Sequence, residues 1–113
     1  MEKKVQLGWL FEFYGPLLTE HRREVMRLYC EEDYSLAEIA SELGITRQGV
    51  HDAVSKSQAQ LEGYEQKLGL IDRYRRLIKA MADCRTALME VQPAGGTEDK
   101  LQSAIRLLDE MEP

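Results

Sequence analysis

Residues 35–56 read SLAEIASELGITRQGVHDAVSK, a stretch in which start, stop and inward-facing signals follow one another at fixed spacing. Ser35 with Glu38 three positions later forms a capping box. The hydroxyl accepts from a backbone amide of the first turn while the carboxylate reaches back to the cap amide, so a helix starts at Leu36. Leu36, Ile39, Ala40 and Leu43 then share one face, and Gly44 stands where a helix ends in the left-handed conformation. Thr46 is placed to cap a second helix with Val50, Ala53, Val54, Ser57 and Leu61 facing inward. Two helices meeting at a steep angle need a small residue where they cross, glycine in the turn and apolar residues at set offsets. Ala40, Gly44, Ile45 and Val50 supply these in order. The stretch predicts a helix-turn-helix.

The rest of the chain is also helical in period. Leu7, Leu10, Phe11, Tyr14, Leu17 and Leu18 recur at helical spacing until Gly15-Pro16 stops the run, and Thr19 can cap a helix whose inward residues include Val25, Leu28 and Tyr29. Beyond Leu61, the residues Tyr64, Leu68, Ile71, Tyr74, Leu77, Met81, Cys84, Leu88 and Val91 alternate mainly by three and four, which predicts a long helix over 64–91 with coiled-coil-like spacing and leaves open whether it runs unbroken through Gly63 and Gly69. QPAGG at 92–96 breaks it, and Thr97 starts a last helix facing inward through Leu101, Ala104, Ile105, Leu108 and Met111. No run has the two-residue period of a strand. The expected fold is all-α, about six helices, with a wing-free helix-turn-helix core over 1–63. A long helix and a C-terminal helix over 64–113 follow as a dimerisation element, with Tyr74, Leu77, Met81 and Leu88 as the candidate homodimer interface.

Charge limits what the second helix can touch. The chain carries a formal −5, with −3 falling up to residue 60 and −2 beyond it. Thr46, Arg47, Gln48, His51, Ser55 and Lys56 face outward and are the candidate nucleic-acid or partner contacts. Arg47 and Gln48 are of the types that reach guanine or adenine edges or a phosphate. Glu38, Glu42 and Asp52 oppose them, so residues 34–60 sum to −1 and a single copy would hold DNA weakly. Two such surfaces joined in a dimer would bind it better.

Other classes find little in the residues. There is no glycine-rich phosphate loop, no framed carboxylate pair and no nucleophile beside a base, so the chain is read as not an enzyme and without a cofactor. Cys30 and Cys84 lack the Cys or His neighbours of a zinc site and are read as reduced thiols, with no metal ligands. His51 reads as a surface side chain, Trp9 and the neighbouring aromatics as core, and Arg73 to Lys79 as a solvated face. No apolar run approaches the roughly 18 residues that span a bilayer, so the expectation is a cytoplasmic protein without membrane insertion.

The segments LFEFYGPLLT, EEDYSLAEIA and TRQGVHDAV carry a resemblance. Over roughly residues 7–70 the sequence is similar to the YlxM family, small bacterial proteins whose helix-turn-helix is similar to region 4 of sigma factors. The resemblance implies a regulatory role in or beside the signal recognition particle pathway, as a non-enzymatic accessory of the targeting GTPase. The partners it implies are that GTPase or its RNA–protein complex. It also places a recognition helix on 46–56, giving Arg47 and Gln48 contact roles. His51 stands where relatives are expected to carry tyrosine, and Gly49 where they are expected to carry alanine. The alternative is a DNA-binding transcriptional regulator that docks the 46–56 helix in the major groove as a dimer.

Overall fold

The computed structural model describes residues 2–111. Among them it contains six α-helices and no strand: α1 Lys3–Tyr14, α2 Glu20–Cys30, α3 Leu36–Leu43, α4 Arg47–Leu68, α5 Leu70–Met89 and α6 Glu98–Met111. The chain forms two compact units that divide between Ile71 and Asp72.

The first unit is built around α4. Pro16 cannot continue α1, so the chain makes a single 3-10 turn over Gly15–Leu17, closed by the Leu18 amide on the Gly15 carbonyl at 3.0 Å. Thr19 then caps α2, accepting from the Arg22 amide. Beyond α2, Asp33 adopts a left-handed φ of 57°, a conformation that aspartate tolerates better than most side chains. The Lys4 ammonium pairs with the Asp33 carboxylate and ties this loop to α1.

The inward stripe of α4 serves two apolar clusters. Val50 and Ala53 pack with Val25, Leu28 and Ile39, while Leu61 packs with Leu7, Leu10, Phe11, Tyr14, Leu18, Met26 and Ile71. Each fully buried aliphatic side chain contributes roughly 1.5–3 kcal/mol by leaving water, so one helix anchors the unit at both ends. Trp9 and Phe13 stack at 6.0 Å between ring centroids and lie half-buried against the second cluster.

The region 64–91, whose continuity through Gly63 and Gly69 the spacing leaves open, is shared between two helices that part at Gly69. Residues 64–68 close α4, Gly69 turns left-handed at φ 63°, and α5 begins at Leu70. The cause is a polar junction. The Tyr14 hydroxyl, in a residue only 1% exposed, donates to the Glu65 carboxylate at 2.5 Å and accepts from the Leu70 amide at 3.1 Å. The same Glu65 oxygen accepts from the Ile71 amide at 3.0 Å. Two orphan amides at the start of α5 are thus satisfied by side chains of α1 and α4, so the break leaves neither bare. Gly63, by contrast, lies inside α4.

In the second unit Met81 and Ile105 are buried, and Tyr74, Ile78, Leu88, Leu101, Ala104 and Leu108 are half-buried. Arg85 Nε donates to Asp109 at 2.7 Å, linking α5 to α6. Pairs Asp72–Arg76 and Lys79–Asp83 run along the solvated side of α5 at 3.1 and 2.9 Å. Thr97 precedes α6 as expected, but its hydroxyl donates backward to the Ala94 carbonyl at 2.6 Å. No helix among the described residues is long and apolar enough to cross a membrane.

Candidate functional site

The pose of α4 is set by its junction with α3. The capping box forms in both directions, with the Glu38 amide donating to Ser35 Oγ and the Ser35 amide to Glu38 Oε1, each at 3.1 Å. Gly44 takes φ 67°, and its amide and that of Ile45 both donate to the Ala40 carbonyl. A side chain at Gly44 would strain against that φ, which is why the turn needs glycine. Thr46 Oγ1 then accepts from the Gly49 amide at 2.9 Å. Ile39 and Val50, both fully buried, lock the two helices together from beneath. The helix-turn-helix of the sequence is present in full.

All six residues named as contacts are exposed, and Thr46 uses its hydroxyl as the cap. At about 100° per residue, Gln48 and Ser55 fall close together on the outward side of α4, whereas Arg47 and Lys56 lie half a turn apart on its two edges. Asp52 is the hub between them. Its carboxylate accepts from Gln48 Nε2 at 3.0 Å and stands 3.7 Å from His51 Nδ1. The Glu38 carboxylate is spent on the capping box. Arg47 and Lys56 form no ion pair among the described residues, so two uncompensated cations border a polar strip.

Tertiary folding adds residues that spacing did not single out. His51, Val54, Ser55 and Gln58 form one wall of a groove of about 320 Å³ whose other walls include Lys3, Lys4, Leu7 and Tyr29. The Lys4 ammonium sits 4.9 Å from the centroid of the Tyr29 ring, and its hydrogen bond to Asp33 raises its pKa. Lys3 is exposed at the groove's rim. The signal in the sequence is only a pair of lysines, with nothing local to connect it to a helix some fifty residues later.

Of the residues named for self-association, Leu77 is 52% exposed, Tyr74 and Leu88 are half-buried, and Met81 is only 6% exposed. Met81 is therefore already covered within the chain. The two cysteines are free. Burial pushes the Cys30 thiol up to about 11, while Cys84 is exposed.

Comparison with known proteins agrees with this architecture. The family described as "Putative helix-turn-helix protein, YlxM / p13 like" matches residues 1–101. A UPF0122 protein of Symbiobacterium thermophilum is 43% identical over 88 residues, covering 78% of this chain and 82% of the relative. A UPF0122 protein of Geobacillus kaustophilus is 36% identical over 115 residues, and one of Halalkalibacterium halodurans 35% identical over 112, each covering 99% of both chains. The chain belongs to the YlxM / p13-like family of helix-turn-helix proteins.

Proposed function

We propose that this is a non-enzymatic regulatory protein of the cytoplasm that acts in the signal recognition particle pathway as an accessory of the targeting GTPase, with the outward side of α4 as its docking surface. The observation that carries the reading is the chemistry of that side. Gln48 and His51 gather on Asp52, and Arg47 and Lys56 stand apart on opposite edges. Such a strip offers a protein or an RNA–protein surface directional hydrogen bonds and two point charges, without the continuous positive field on which a lone nucleic-acid-binding domain relies. The choice of pathway rests on the family resemblance. The protein works as a homodimer through α5, where Leu77 offers the apolar surface. Purified chain mixed with the purified GTPase, or with its RNA–protein complex, should co-sediment with one of them; independent sedimentation with both would contradict the reading.

A second reading has one observation in its favour. A helix inserted in the major groove needs polar residues at its centre and cations on both flanks for the two backbones, and α4 carries Gln48 and Ser55 between Arg47 and Lys56. As a dimeric DNA-binding regulator the protein would lose affinity steeply with salt, and Arg47→Ala would remove most of it. Absence of DNA binding even at low salt would end this alternative.

A further inference from the structure

Along α5 of the second unit, Leu77, Ala80, Cys84 and Ala87 recur at intervals of three and four and are all exposed. Met81, which is buried, and Tyr74, Ile78 and Leu88, which are half-buried, lie about a quarter turn away on the same helix. The charges bordering the exposed strip are not evenly spread. Arg73 lies in line with the strip at its N-terminal end and Arg76 borders it there with Asp72, whereas Asp83 borders its C-terminal half and Glu90 follows just past the end of α5. Arg76 and Asp83 already pair within the helix, with Asp72 and Lys79, on open surface where such pairs exchange freely. Arg73 and Glu90 form no ion pair among the described residues and carry the asymmetry.

That asymmetry selects an orientation. Two copies of α5 laid parallel would set Arg73 and Arg76 against their own counterparts and Glu90 against its own, whereas an antiparallel pair sets the basic half of each against the acidic half of the other. Alanine and cysteine on the strip let the two backbones approach closely, with Leu77 supplying the larger apolar contact. We infer that α5 pairs with the α5 of a second copy in antiparallel orientation through the Leu77–Ala87 side. This rests on the reading of the protein as a homodimer through α5.

The test uses the full chain with Cys30→Ala and Cys84→Ala and a single nitroxide placed in turn at Arg75→Cys, Ala82→Cys and Met89→Cys, three exposed positions off the strip. Light scattering first gives the mass, and pulsed electron paramagnetic resonance then gives the distance between the two labels. The antiparallel pair predicts the shortest distance at 82. Each seven-residue step away from the crossing adds an axial separation of about 21 Å, from a rise of about 1.5 Å per residue counted in both copies. Equal distances at all three positions would establish a parallel pair and overturn the inference while leaving the dimer in place. A dimer whose labels show no minimum at 82 would also overturn it, placing the interface elsewhere. A monomeric mass would remove the dimer reading itself.

Discussion

Ser57 is fully buried on α4, and its hydroxyl makes no hydrogen bond among the described residues. A buried hydroxyl without a partner costs about 1–3 kcal/mol, so Ser57→Ala should leave stability unchanged or raise it by about 1 kcal/mol in urea unfolding. A loss of similar size would mean that the hydroxyl is bonded in solution. Tyr14 is the opposite case, since its hydroxyl both donates to Glu65 and accepts from the Leu70 amide. Tyr14→Phe removes both bonds and should cost about 1–3 kcal/mol. Burial, and after it the hydrogen bond to Glu65, raises the Tyr14 pKa above its ordinary value of 10.0. A group whose folded pKa is raised adds stability below its unfolded value and loses it as pH climbs through the folded one. The native protein should therefore weaken as pH rises beyond about 10, and Tyr14→Phe should flatten that limb of the stability–pH curve. An unchanged alkaline limb in the variant would assign it to other groups. Spacing marks both residues as inward, but that one lacks a partner and the other has two is decided by packing.

At the scale of elements, the devices that fix α3 and α4 are local and were legible for that reason. Ser35 and Glu38, Gly44, and Thr46 each act within a few residues of themselves. Ser35→Ala should cost about 1 kcal/mol through the lost cap, and Gly44→Ala should cost at least as much because alanine is strained at φ 67°. Thermal unfolding of the two variants checks both, and a neutral Gly44→Ala would show that the turn relaxes. Spacing leaves the continuity at Gly69 open, because the apolar period runs straight through a glycine that could also end a helix. What satisfies the start of α5 there is distant, since the Leu70 amide donates to Tyr14, 56 residues earlier. The groove joining Lys3 and Lys4 to His51 and Ser55 comes from distant residues in the same way, because it exists only where α1, α2 and α3 pack beside α4. The outward residues of α4 follow from period alone, and all of them are exposed.

On the proposed reading, self-association through α5 and partner binding through α4 use different helices and can be tested apart. Leu77 is 52% exposed, so Leu77→Lys should leave the single chain folded while lowering the mass seen by light scattering to that of one chain. An unchanged mass would move the interface away from Leu77. Substituting Met81 is a poorer probe, because its burial would confuse dissociation with unfolding. On the proposed reading the outward side of α4 docks a partner of the targeting pathway. The decisive measurement is the affinity of the purified RNA–protein targeting complex for the native chain and for Gln48→Ala/Ser55→Glu, with Lys100→Ala on α6 as the control. The native and Lys100→Ala chains should bind alike and the α4 variant roughly tenfold or more weakly. Equal binding of the α4 variant and the native chain would contradict it.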